Sequence, residues 1–518
     1  MPAIYLVLLI FLLLFKVLGI LRDRAIQRLI VRTRGAQPVR WKPSSLFGWH
    51  NFQEDANLAK EHKTMATMEE WFREYGPTYA KLVLGTTCIY TCEAENLEAI
   101  TTSQVDDFDI DSASAYGILL GNGIVTAKAA QWAHARDVLT PPFTRDQLTA
   151  DMALFLEKHS KSLGKLIDEN KGNDVDMQDI FSKFSLDTLS EYIVGESTES
   201  LSQLQRPAET HQLRDVFSKA IRVAQDGLQL RAIARKFSQL LRPKWLLVPV
   251  SACQEYADYY IKRALAREGY IRGWKLSRYV VLNELVRNCK EPVFLRDNIL
   301  SLFFSGRDTT SSLLVWVFYV ISRRLDVQTK LRKEVAALFG SGKSGDAKNV
   351  PLTLEMLKKA EYLQAVINET LRLYPPIPVI LRVANKPTTL PVGGGPDGES
   401  PILILKGQEV YFSLSSLQRS TDIFGGDAGD FKPERWIDSK NPNFPWTKEF
   451  RPFISGPRDC FGESFARFQT AYIIVKLLQE YSNIIPADRA RDKRKDDRPA
   501  RHFAGTLIPE SGLKLKFV

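Results

Sequence analysis

Cysteine and histidine are scarce in this chain. Five cysteines in 518 residues (Cys88, Cys92, Cys253, Cys289 and Cys460) are odd in number and irregularly spaced, which argues against a disulfide framework. The six histidines (His50, His62, His134, His159, His211 and His502) contain neither HExxH nor any paired metal spacing. Zinc chemistry built on a histidine motif is thereby excluded, and only an unpaired histidine is left as a possible base. Charge of one sign is also lacking. Seventy basic residues face sixty acidic ones, a net charge of +10, and no nucleic-acid-binding motif gathers it. With 44% hydrophobic and 25% charged residues, global disorder and collagen-like repeats are excluded. No repeat with a period of roughly 20–50 residues is visible. No Pro/Gly/Ser-rich linker follows residue 48. The length alone would allow about three domains, but nothing divides the chain, so one large domain is expected over 49–518.

One long apolar run is present, from Ala3 to Leu21, broken only by Lys16. At 1.5 Å per residue it can cross a hydrocarbon layer of about 30 Å, with Lys16 snorkelling from near one end. Residues 1–21 are therefore read as a transmembrane anchor. Arg22, Arg24, Arg28, Arg32, Arg34, Arg40 and Lys42 follow, against the single acid Asp23. The positive-inside rule then places the remainder in the cytosol. A cleaved signal peptide would carry a positive start and a small-residue cleavage site, and neither is found. The alternative is a buried amphipathic helix. Residues 22–48, with Gly35, Pro38, Pro43 and Gly48, read as a basic tether.

Beyond the tether the pattern is mainly α with a minor β part. Short strand signals lie at Tyr79–Val83 and Ile89–Thr91, and more at 378–392 and 402–412. A last hairpin is expected over 503–518, turning at Pro509–Gly512. Helical spacing dominates from about 144 to 340, and its longest helix runs from Phe294 to about Leu325. The mixed-charge stretch Asp488–Arg501 reads as a solvated loop.

Five motifs carry chemistry. In Phe453-Ile-Ser-Gly456-Pro-Arg458-Asp-Cys460-Phe-Gly462, one cysteine precedes an apolar helical run. The positive end of that helix would favour its thiolate, and backbone N–H groups could tune the sulfur. Gly456 and Gly462 leave room for a planar group against the backbone. Taken alone, the cysteine reads equally as a buried inert one. Glu369-Thr-Leu-Arg372 sets a carboxylate and a guanidinium on one helix face, where the plainer reading is a surface ion pair. Phe431-Lys-Pro-Glu-Arg435-Trp436 adds a second arginine, and a carboxylate between two guanidiniums could lock a loop. Ser305-Gly306-Arg307-Asp308-Thr309-Thr310 puts poor helix formers into the middle of the longest helix. Either the helix kinks there or the cluster is functional. Trp132-Ala-His-Ala-Arg136 offers two donors one turn apart, suited to an anion or to a cation–π pair.

In this order the five motifs resemble the cytochrome P-450 haem-thiolate monooxygenases, over essentially the whole chain. Gly117-Ile-Leu-Leu-Gly-Asn-Gly-Ile124, the Gly-Arg-Asp-Thr-Thr run and Leu390-Pro-Val-Gly-Gly-Gly-Pro-Asp-Gly398 resemble the fungal alkane and fatty-acid ω-hydroxylase branch. Relatives of that branch also tailor secondary metabolites. The resemblance implies haem b as cofactor, with Cys460 as its metal ligand and Phe453 shielding the sulfur. Trp132, Arg136, Arg382 and Arg458 would hold the propionates, with Gly462 beside the sulfur. Glu369, Arg372 and Arg435 would form a structural lock. Asp308 and Thr309 would be catalytic, passing protons to dioxygen, and Gly306 would give the oxygen space. The wall of the substrate pocket would come from 112–124, Phe303, Phe304, Ile377, Val379, Ile380 and 506–509. Ser305, Gln418 and Phe461 depart from the family's usual residues. The implied partners are an NADPH-dependent cytochrome P-450 reductase, O2, a lipophilic substrate and the endoplasmic reticulum membrane, with no nucleic acid. Two other readings stay open at this point: a haem-thiolate isomerase of the same fold that uses no O2, and a non-catalytic haem-binding scaffold.

Overall fold

A computed structural model describes residues 25, 27–144, 146–170, 172–202, 208–234, 243–271, 280–341, 350, 352–437, 448–487 and 499–518. The apolar run at 3–21 and most of 488–501 lie outside the described residues. Among the described residues no helix is long and apolar enough to cross a membrane.

The longer helices are α1 (Trp49–Lys60), α2 (Thr64–Tyr75), α3 (Ser112–Leu120), α4 (Ala129–Thr144), α5 (Asp146–Glu169) and α6 (Met177–Val194). They continue with α7 (Ala208–Ala234), α8 (Lys244–Ile271), α9 (Pro292–Arg323), α10 (Leu325–Phe339), α11 (Glu361–Leu373) and α12 (Glu463–Glu480). The axis of the molecule is α9. Pro292 opens it at the first turn, where its missing N–H costs nothing. Apolar residues on nearly all of its faces bury it along Leu295–Phe303 and Leu313–Ile321. Trp316 is fully buried, stacks on Tyr374 at 4.0 Å and donates its indole N–H to the Leu507 carbonyl at 2.7 Å. Against α9 packs α6, started by the Asp176 side chain, which accepts from the N–H groups of Gln178 and Asp179. Gly195 ends α6 at φ +82°.

The main sheet has six strands. β1 (Arg40–Trp41) lies parallel to β2 (Thr78–Val83), which pairs antiparallel with β3 (Thr86–Thr91). β3 lies parallel to β9 (Glu409–Ser413), followed by β6 (Val379–Ala384) and β4 (Phe108–Asp109). The basic tether is thus fastened rather than loose: β1 joins the sheet, and Gln37 donates its N–H to the Pro401 carbonyl at 2.8 Å. β7 (Thr388–Gly394) and β8 (Ser400–Ile404) form a separate hairpin.

The end of the chain departs from the expected hairpin. β11 (Arg501–Phe503) pairs with β12 (Leu507–Pro509) across a turn at 504–506, where Gly505 takes φ +79°. The following segment turns at Gly512 and leaves for another sheet. There β13 (Lys514–Phe517) sits between β10 (Ile484–Pro486) and β5 (Val175–Asp176). Pro509–Gly512 is therefore a crossing between sheets and not a hairpin turn. Leu513, Leu515 and Phe517 explain the exchange, because all three are buried against the helical core.

Candidate functional site

The loop before α12 carries the cysteine. Ile454 and Gly456 take left-handed conformations, at φ +63° and +83°. A side chain at Gly456 would collide with the Thr101 carbonyl, so only glycine lets the loop lie against that strand of backbone. The Cys460 N–H donates to the Phe453 carbonyl at 3.0 Å, closing the loop, and Phe453 packs against the core. Gly462 caps α12 and aims its N–H at the Cys460 sulfur.

Burial pushes the Cys460 thiol up to about 11, helped by the Glu463 and Asp459 carboxylates and opposed by the Gly462 N–H and by Arg136. This reverses the sequence expectation of a lowered value. The helix end does act on the sulfur, but removal from water outweighs it. Yet Cys460 keeps an accessible surface. A thiolate that is desolvated yet has open surface calls for a bound cation.

A second accessible stretch lies in the middle of α9. Between flanks that are buried at Ile299–Phe303 and Thr310–Ser322, the residues Phe304, Ser305, Gly306, Asp308 and Thr309 keep accessible surface. The helix is continuous there, not kinked. Thr309 Oγ1 donates to the Ser305 carbonyl, and Ser305 Oγ to the Ser301 carbonyl at 2.8 Å. Burial raises Asp308, while Arg307 opposes the shift from 3.4 Å. Arg307 is buried and donates to Gln225 and, at 2.9 Å, to Ser182. Gly306 also borders α6. A Cβ there would stand 2.9 Å from Leu189 on α6, so this glycine sets how closely α9 and α6 approach. Of the two phenylalanines expected in the wall, Phe303 is fully buried against Phe217 and Tyr256, while Phe304 keeps accessible surface. Ile377 and Val379 are half-buried, Ile380 buried.

A cationic corner borders the cysteine loop. Arg458 lies 4.4 Å over the Trp132 ring, donates to the Ala127 carbonyl at 3.3 Å and stands 3.5 Å from Asp109. Arg382 is buried nearby and donates to the Leu381 carbonyl. Burial, reinforced by the Arg458 charge and opposed by Asp109, pushes Arg382 down to about 10. Two guanidiniums thus share one carboxylate, and the corner is short of negative charge. Arg136 is not part of it. It is ion-paired to Asp459 and lies 5.3 Å over the Phe461 ring. The stack on Trp132 is made by Arg458, more than 300 residues away in sequence, and not by Arg136. The donor set fits haem: one cysteine sulfur for a metal, and uncompensated guanidiniums for two carboxylates.

Glu369 and Arg372 are both fully buried, so they are no surface pair. Glu369 accepts two bonds from Arg372 at 2.7 Å, one from Arg435 Nε at 3.0 Å, one from Trp436 Nε1 at 2.9 Å and one from the Lys432 N–H at 2.9 Å. Arg372 reaches on to the carbonyls of Gln418, Ala428 and Asp430. The α11 helix and the 418–436 loop are thereby one hydrogen-bonded unit. The sequence assigns no role to Trp436, Gln418, Asp109 or Asp459. Each is an ordinary residue type whose partner is remote in the chain.

The glycine run 117–124 also gains a reason. Asp297 and Asn298 of α9 accept the N–H groups of Asn122 and Ile124, at 2.9 and 3.0 Å. A side chain at Gly121 would strike the Asp297 carboxylate, and one at Gly123 the Asp297 carbonyl and Ser301 Oγ. Gly123→Ala should therefore cost about 1–3 kcal/mol by overpacking. Gly426→Ala, where a methyl group meets nothing within 4 Å, should be near neutral. Thermal unfolding of the two variants compares them directly.

Comparison with known proteins agrees with this geometry. The family model for cytochrome P450 matches residues 43–517. Among curated relatives, cytochrome P450 52A5 of Candida maltosa is 39% identical over 79% of this chain and 77% of its own. Cytochrome P450 52A12 of Debaryomyces hansenii is 34% identical over 94% and 93%. Cytochrome P450 52A1 of Candida tropicalis is 37% identical over 78% and 74%. All three are fungal and share one family number, in keeping with the branch that the glycine motifs resemble. The fold, the cysteine loop and this similarity lead to one conclusion: the chain belongs to the cytochrome P450 family and is a haem b monooxygenase.

Proposed function

We propose that the chain is a membrane-anchored monooxygenase acting on a lipophilic substrate, in alkane or fatty-acid oxidation or in the tailoring of a secondary metabolite. The observation that carries this is the desolvated but open Cys460 in its glycine-bent loop, in a chain whose longest helix carries an accessible polar stretch at Ser305–Thr309. Cys460 would be the metal ligand, its sulfur held by the Gly462 N–H and screened by Phe453. Arg382, Arg458 and the Trp132 beneath Arg458 would hold the propionates. Arg136 would act from the cysteine loop, by fixing Asp459. Glu369, Arg372 and Arg435 would keep the loop scaffold rigid. When bound, haem supplies the activation of O2 and the insertion of one oxygen atom, using electrons from an NADPH-dependent reductase.

The chain's own part in the chemistry is to place protons and exclude water. Thr309 Oγ1 sits on the open face, held by the Ser305 carbonyl, and would pass a proton inward. Asp308, raised by burial, would restore it from the side of Arg307 and Gln225. An isomerase has no need of such a pair, which weighs against that reading. Thr309→Ala should uncouple the reaction: NADPH use continues, peroxide rises and product falls by about tenfold or more, within the usual span of general acid catalysis. Unchanged coupling would remove Thr309 from the mechanism.

Residues 1–21 would anchor the protein in the endoplasmic reticulum membrane, with the basic stretch after them on the cytosolic side. The catalytic domain would then begin near residue 49. The function as a whole is tested by titrating the haem-loaded protein with fatty acids, alkanes and polycyclic compounds and following the substrate-induced spin shift. Product analysis with reductase and NADPH completes the test. Oxygenated product that forms only with O2 and NADPH supports the proposal. Product formed without them would favour the isomerase.

A further inference from the structure

The accessible stretch of α9 carries two hydroxyl groups, and both are engaged. Ser305 Oγ donates to the Ser301 carbonyl and Thr309 Oγ1 to the Ser305 carbonyl. Tyr116 differs. Its phenol has no hydrogen-bond partner among the described residues, although burial is strong enough to raise it above its ordinary value. Its hydroxyl is not among the sealed polar atoms that lack a partner, and the residue keeps accessible surface. A desolvated phenol with open surface points into an interior space. The ring fixes which space: it packs 5.1 Å from Phe304, the residue that opens the accessible stretch of α9. Beside it, a Cβ at Gly117 would meet nothing within 4 Å. A buried hydroxyl without a partner is costly unless something else supplies an acceptor.

We propose that Tyr116 is a specificity-determining residue whose hydroxyl donates to an acceptor oxygen on the substrate, remote from the carbon that is attacked. The preferred substrate is then an oxygenated lipophile and not a plain hydrocarbon. This rests on the monooxygenase reading above. The ring, held by Phe304 and the short α3 helix, loses little freedom on making the bond. The neighbouring Phe304 contributes only non-directional attraction, so the phenol would set which end of the substrate faces Cys460. The chemistry required is an oxygen lone pair, which a chain carboxylate and a ring ketone or alcohol present alike.

The test uses the full-length, haem-loaded protein and the spin-shift titration. The probes are a long-chain fatty acid with its parent alkane, and a polycyclic ketone with its deoxygenated parent. Tyr116→Phe keeps the ring and removes only the hydroxyl, and an unaltered reduced carbon-monoxide spectrum certifies its fold. The variant should bind an oxygenated probe about three- to tenfold more weakly, the span of one neutral hydrogen bond. The matching hydrocarbon should bind as before. Whichever oxygenated probe loses affinity identifies the source of the acceptor. If acid, ketone and hydrocarbons all shift together, or none shifts, the phenol serves packing or water and the inference fails. If the wild-type protein responds to no probe, the lipophile-binding reading falls, and this inference with it.

Discussion

Glu369→Ala yields a protein that neither folds stably nor retains haem. The carboxylate accepts five hydrogen bonds while fully buried. Its loss leaves the Arg372 and Arg435 guanidiniums in the interior without their counter-charge. Breaking a buried pair in this way costs about 3–5 kcal/mol. Domains are commonly stable by only about 5–15 kcal/mol, so one substitution removes a large share. Soluble expression, haem content and urea unfolding read the effect. Glu434→Ala is the control, because the Lys330–Glu434 pair is about half exposed on both sides and should contribute under about 1 kcal/mol. An E369A protein as stable as the E434A protein would show that the cluster is not the lock its geometry describes.

Cys460→Ala abolishes turnover while leaving much of the fold in place. The side chain packs little: it keeps open surface, and the loop around it is closed by backbone bonds from Cys460 to Phe453 and from Asp459 to Gly456. Removing the sulfur therefore costs activity far more than stability. The variant should unfold within a few degrees of the wild-type apoprotein. It should give no product above background and no thiolate-type carbon-monoxide spectrum. Product formation by C460A would sink the assignment of the metal ligand.

The fold was legible where local pattern decides it. The apolar faces of α9 mark its path through the core, and its range, Pro292–Arg323, lies within a few residues of the sequence expectation. The Glu369–Arg372 pair was visible as a spacing, but its burial was not. That burial comes from Trp436, Gln418 and the 428–430 carbonyls, each more than 40 residues away. The last hairpin misled because Pro509 and Gly512 are good turn residues wherever a chain reverses. Only the burial of Leu515 and Phe517 beside β10 decides which strand receives them. Arg136 and Trp132 likewise find partners that local spacing does not show. Their helical spacing is real, but Asp459 wins Arg136, and Arg458 takes the ring. The open phenol of Tyr116 leaves no mark in the sequence, since the lack of a partner is a property of packing.

The central claim is that the Cys460 thiolate carries the haem. The most direct test is the reduced carbon-monoxide difference spectrum of freshly purified full-length protein, taken beside that of C460A. The account predicts a Soret band shifted far to the red in the wild type and absent from the variant. A wild-type band at the position of neutral-thiol or histidine ligation, or the red-shifted band persisting in C460A, would contradict it.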